Sequence, residues 1–173
     1  MPASQVRRVL VVGGGITGSV LSLGLAQKGV DVVLLEIRNE WTGVGHGITL
    51  QGNALGAFHK VGVFDEIAEH GFPFDKLRMF DADGHQIMAI DTPPMGGTEV
   101  PPTMGALRSH VADVLARHVK AAGVDVRLGT TVTAIQDDGD SVTATLSDGT
   151  LETVDLLVGA DGECLGEGVD SCG

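Results

Sequence analysis

Near the start of the chain, Gly13-Gly14-Gly15-Ile16-Thr17-Gly18 is spaced as G-x-G-x-x-G. That spacing can seat a pyrophosphate. Gly13 permits a tight turn, Gly15 leaves no Cβ between backbone and phosphate, and Gly18 lets a helix pack closely on a strand. The free N–H groups where a helix opens, here at Ile16 and Thr17, attract phosphate together with the helix dipole. The same fingerprint asks for an acidic residue about 20 residues further on, and Glu36 stands there. Its carboxylate can accept both ribose hydroxyls of an adenosine. A 2′-phosphate would meet a like charge, which disfavours NADP in this crevice. The bland alternative is a structural glycine turn with a surface glutamate.

The motif has meaning only between a strand and a helix. Val6 to Val12 reads as a short buried strand, and Ile16 to Lys28 as a helix with Ile16, Val20, Leu23 and Ala26 or Gln27 on one stripe. Gly29 stops it, and Asp31 to Glu36 (DVVLLE) is a second buried strand. A β-α-β unit of this length implies parallel neighbours with a crossover helix. Asn53 can cap a helix running to about Val61, and Phe64 to His70 is another short helix. Lys76 to Phe80 and Gln86 to Ile90 alternate around Asp83-Gly84, which predicts a hairpin. Asp91 to Gly105 is rich in proline and glycine and reads as a long loop. Ser109 caps a helix over His110 to Ala122, with Val111, Val114, Leu115, His118 and Val119 on one side. Strands are predicted at 124–128, about 131–136, 141–147, 150–154 and 155–158, with Asp138-Gly139 and Asp148-Gly149 as turns.

Composition narrows the field. A formal charge of -12 is the wrong sign for a polyanion binder, so neither nucleic acid nor an anionic membrane is an expected partner. The 26 glycines have no collagen period, and the charged residues are spread among apolar segments, which speaks against disorder. Cys164 and Cys172 carry no metal-ligand spacing, so no metal is expected, and a cytoplasmic location is the default. No run approaches the roughly 18 apolar residues of a membrane span.

Four blocks resemble one family. They are VLVVGGGITGSVLSLGLAQKGVDVVLLE (9–36), GVGHGITLQGNALGAFHKVGV (43–63), Leu107-Arg108-Ser109 leading to Leu115, and DLLVGADG (155–162). In this order they resemble the N-terminal half of class A flavoprotein monooxygenases, the FAD-dependent aromatic hydroxylases of the p-hydroxybenzoate and salicylate hydroxylase type. The resemblance implies an α/β, Rossmann-like FAD-binding fold: a parallel sheet, an antiparallel meander and a small inserted hairpin. It implies FAD in the crevice, NAD(P)H as transient electron donor, O2, and a small aromatic substrate. Glu36 would hold the adenosine ribose, with Arg38 flanking the adenine or simply solvated. Arg108 would reach the pyrophosphate and ribitol, its cation neutralising phosphate. Val132 would offer its backbone to adenine, and Asp161 would lie near the ribityl chain. His46 falls in the loop that should approach the isoalloxazine, as an acid–base group or a solvent-facing imidazole. No catalytic residue is assigned.

On this reading residues 1–162 are an FAD-binding region, with 71–105 an inserted hairpin and loop toward the substrate side. The segment 163–173 is a tail outside the family pattern: after the Asp161-Gly162 pair the chain runs ECLGEG, where the family has a Ser and an Arg. The family's second half does not follow, so the chain is expected to be an N-terminal fragment that self-associates or needs that half, and holds FAD loosely. Two other functions share the fingerprint: a non-catalytic dinucleotide-binding fragment and an NAD-dependent dehydrogenase.

Overall fold

The computed structural model describes residues 6–41 and 45–162. The tail expected over 163–173 lies outside the described residues. The chain divides into two compact units, Met1–Thr42 with Leu115–Gly173, and Gly43–Val114.

The first unit is built on a parallel sheet. Its strands are β1 (Arg8–Val12), β2 (Asp31–Glu36), β8 (Asp125–Leu128) and β12 (Leu156–Gly159), in the order β12-β1-β2-β8. The register pairs Val9 with Val32 on one side and with Leu156 on the other, all parallel. Continuous apolar runs suit strands buried on both faces. Alternate side chains of β1 and β2 therefore leave in opposite directions. Leu10, Val12, Val33 and Leu35 form one core with Val132, Ala144, Leu146 and Val154. The last four come from an antiparallel meander, β9 (Val132–Asp137), β10 (Val142–Leu146) and β11 (Leu151–Val154). Asp138 shapes its first turn, accepting the N–H groups of Asp140 (3.0 Å) and Ser141 (2.7 Å).

Helix α1 (Ile16–Ala26) joins β1 to β2. Its buried residues are Gly18, Ser19, Ser22 and Leu23. This corrects the predicted stripe, of which only Leu23 is buried. The helix comes so close to the strand turn that small residues must face it: a Cβ on Gly18 would overlap the Gly13 carbonyl oxygen.

Charges fasten the ends of these strands. Arg8 bridges Asp31 (2.6 Å) and Glu152 of β11 (3.1 Å), and Arg127 bridges Asp125 (2.8 Å) and Glu152 (2.6 Å). The backbone N–H groups of Arg7 (2.7 Å) and Arg8 (2.9 Å) donate to Asp155, and these bonds hold its carboxyl below the usual carboxylate range.

The second unit holds a three-stranded antiparallel sheet and a hairpin. The sheet is β3 (Gly47–Gln51), β7 (Thr103–Leu107) and β4 (Phe72–Phe74), in the order β3-β7-β4. With it go α2 (Gly52–Lys60) and α3 (Phe64–Ala68), and Leu50, Leu55, Phe58, Ile67 and Met104 are fully or almost fully buried. The hairpin is β5 (Lys76–Phe80) with β6 (Gln86–Asp91). The predicted loop over 91–105 is thus cut short by β7, and β4 was not foreseen. Asn53 lies inside α2, whose N-cap Gln51 makes no side-chain capping bond. Helix α4 (Arg108–Ala121) starts before Ser109, so Ser109 is not its cap.

Candidate functional site: the glycine turn between β1 and α1

Three protein contacts fold this turn. The Gly13 N–H donates to Leu35 O (2.8 Å), the Ala160 N–H donates to Val12 O (2.7 Å), and the Ser19 N–H closes the first helical bond on Gly15 O (2.9 Å). Gly13 has φ +108°, and a Cβ there would stand 2.6 Å from the Asp161 backbone nitrogen. Gly14 is buried, and its Cβ would sit 3.0 Å from Glu36 Oε2 and 3.3 Å from Trp41 Nε1. With Gly18 against the Gly13 carbonyl, two of the four glycines are demanded by the protein's own backbone, and a Cβ at Gly14 would crowd the Glu36 and Trp41 side chains.

Gly15 is different. Its φ is -67°, open to any residue, and a Cβ there would meet nothing within 4 Å. It is exposed at the N-terminus of α1, and no acidic residue lies in the first turn of that helix. Neither backbone strain nor packing calls for glycine there. The uncrowded position at a helix N-terminus leaves room for a pyrophosphate.

Glu36 ends β2 beside this turn. Its Oε2 accepts the Gly14 N–H (3.0 Å) and its Oε1 the Arg38 N–H (3.0 Å), so the carboxylate is held half-buried at the turn. Ile16 and Thr17 open α1, with Thr17 exposed. Asp161 follows β12 and borders Gly13 through its backbone. Arg38 is exposed, and its carbonyl accepts the Gly129 N–H (2.9 Å). Val132 puts its side chain in the core, which leaves its backbone as the part a ligand could read. The structure therefore brings Gly13, Gly15, Ile16, Thr17, Gly18, Glu36 and Asp161 together around one turn. Arg108 belongs to the other unit. There it is exposed at the first position of α4, and its N–H donates to the carbonyl of His46 (3.1 Å), also exposed.

Sequence reasoning missed two participants in the turn. Trp41 Nε1 donates to Gly14 O (2.7 Å), and Ser19 Oγ donates to the same oxygen (3.1 Å). The one available signal was that Trp41 is the sole tryptophan, five residues past Glu36.

The family profile described as FAD binding domain matches residues 7–164. The chain belongs to this FAD binding domain family. Its FAD binding domain is 32% identical over 157 residues to the putative FAD-dependent monooxygenase YetM of Bacillus subtilis, covering 91% of this chain and 42% of YetM. It is 33% identical over 166 residues to 3-hydroxybenzoate 6-hydroxylase of Klebsiella oxytoca, covering 92% and 41%. Among solved structures it resembles 2-methyl-3-hydroxypyridine-5-carboxylic acid oxygenase, with TM-score 0.78, 28% identity, and 91% and 40% coverage. The chain thus spans about two fifths of the length of the relatives it matches. The Rossmann-like α/β fold and FAD as the family's cofactor agree with the reading of the sequence. Among the described residues, no helix is long and apolar enough to cross a membrane.

Proposed function

We propose that this chain is the FAD-binding part of a flavin monooxygenase that hydroxylates small aromatic compounds with NAD(P)H and O2. The observation that carries the reading is the open, unstrained Gly15 at the start of α1 beside the Glu36 carboxylate. Gly15, Ile16 and Thr17 would receive the pyrophosphate, with Gly13 and Gly18 making the turn possible. Glu36 would accept the ribose hydroxyls, Arg38 would flank the adenine, and Val132 would meet it through its backbone. Arg108 would neutralise phosphate, and Asp161 would lie along the ribityl chain. Bound flavin supplies the redox and oxygen-activating chemistry, and the protein's part is to bind, orient and exclude water.

Residues 71–105 are assigned to the substrate side of this FAD-binding region, 1–162. The hairpin's exposed Leu77, Met79, Met88 and Ile90 favour self-association or cover by a further part of a longer protein. The structural relative 2-methyl-3-hydroxypyridine-5-carboxylic acid oxygenase has a tetrameric form. The reading places the protein in the cytoplasm.

An FAD titration followed by visible absorption tests the site. Saturable binding with flavin bands is expected, and Glu36→Ala should weaken it by about 1–3 kcal/mol through loss of charge-assisted hydrogen bonds. Unchanged affinity would remove Glu36 from the site. NADH oxidation measured with and without aromatic acids separates a monooxygenase from a binding fragment, which would take FAD and turn nothing over.

A further inference from the structure

Trp41 belongs to no helix or strand, yet it reaches the middle of the glycine turn. The Gly14 carbonyl has two lone pairs, and two donors use them: Trp41 Nε1 at 2.7 Å and Ser19 Oγ at 3.1 Å. The Gly14–Gly15 peptide is trans. Across a trans peptide the C=O and the following N–H point in opposite directions. Fixing the Gly14 oxygen therefore aims the Gly15 N–H away from both donors, and Gly15 is the one glycine of the turn whose side-chain position is open. The Gly14 N–H meanwhile donates to Glu36 Oε2 at 3.0 Å. One residue thus couples the turn to the acidic end of β2, and the indole holds that residue. The indole is itself held: Lys120 Nζ of α4 lies 5.7 Å from its ring centroid, inside cation–π range.

We infer that Trp41 is a positioning residue for the adenosine diphosphate half of the cofactor. Together with Ser19 it holds the Gly14–Gly15 peptide so that the Gly15 N–H meets the pyrophosphate and Glu36 stays set for the ribose. The inference rests on the reading of this turn as a dinucleotide site.

ADP is the probe, because it carries the adenosine and pyrophosphate without the flavin. The full chain is titrated calorimetrically with ADP and with FAD, and Trp41 fluorescence is followed in parallel. Trp41→Phe keeps an aromatic ring and deletes the N–H donor; it should weaken both ligands roughly five- to tenfold. Ser19→Ala should do so by a smaller factor. The urea midpoint without ligand separates positioning from a merely structural role. A structural role lowers the midpoint and leaves the affinity of the folded protein unchanged, and that result overturns the inference. Should Trp41→Phe not fold, benzothienylalanine at position 41 replaces the N–H by sulfur in the same shape and carries the same expectation. Wild-type affinity in these variants sinks the role of Trp41 while the dinucleotide reading stands. A wild-type chain that binds neither ADP nor FAD sinks both.

Discussion

Strands β1 and β2 bury every residue from Val9 to Val12 and from Val32 to Leu35, whereas β5 and β6 leave every residue exposed. Both pairs are rich in large apolar side chains, so hydrophobicity alone does not separate them. Pattern does. The runs in β1 and β2 are continuous, and each strand has a hydrogen-bonded neighbour on both sides. The hairpin alternates: Leu77 pairs with Ile90 and Met79 with Met88, while Lys76 faces Asp91 and Arg78 faces Ala89. Cross-strand pairs of this kind hold a two-stranded ribbon together without burying it. The lesson is that the parallel unit carries stability and places the glycine turn, while the hairpin presents an apolar face.

The largest expected effect tests how tightly the parallel unit closes. Gly18→Ala puts a methyl group into the Gly13 carbonyl. Backbone cannot move aside cheaply, so about 3 kcal/mol or more of stability should go, together with FAD binding. A urea denaturation series reads the first and an FAD titration the second. A near-neutral Gly18→Ala would mean that the turn is looser than described.

The direct contrast comes next. Leu35→Ala, at a fully buried position, should cost about 2–5 kcal/mol. Met79→Ala, at a side chain 46% exposed, should stay within about 0.5 kcal/mol. If the two prove equal, the hairpin face is covered in solution, and sedimentation at several concentrations would show by how many copies.

Acid should loosen the parallel unit through Asp155. Its folded pKa lies below its unfolded value, because it accepts the Arg7 and Arg8 N–H groups. Its contribution is therefore present above the unfolded value, about 3.9, and is lost as pH falls through the lower folded value. Asp155→Asn should flatten the acid limb of the stability profile below about pH 4, and an unchanged limb would assign it to other carboxylates. Asp81 in the hairpin loop is lowered for a similar reason, chiefly by the His85 backbone N–H at 2.7 Å. Its loss should open only the hairpin, which amide hydrogen exchange would resolve from global unfolding.

A modest effect sharpens the view of the strand ends. Glu152→Gln weakens two ion pairs at once, to Arg8 and Arg127. Partly exposed pairs are worth little, so about 0.5–1 kcal/mol is expected from thermal unfolding. A loss several times larger would show that the network, rather than the shared core, joins β11 to the parallel sheet.

Sequence alone was enough for what local chemistry dictates. Continuous apolar runs on either side of Gly13–Gly18 predicted β1, α1 and β2, because period and length distinguish buried strands from a helix. Gly84, Gly139 and Gly149 each take a positive φ in a turn read from an Asp-Gly pair. The family blocks carried the cofactor. What sequence could not supply arises from pairing between distant residues. Thr103–Leu107 follows two prolines and has no alternation to mark it, and it is a strand because β3 and β4 flank it. The buried stripe of α1 was misread because periodicity weighs hydrophobicity, while close approach to the Gly13 carbonyl selects Gly18, Ser19 and Ser22 for size. Trp41 and Ser19 are far apart in the chain and share no motif. Only the fold brings both donors to the one carbonyl of Gly14, because a hydrogen bond is set by position in space and leaves no spacing in the sequence to read.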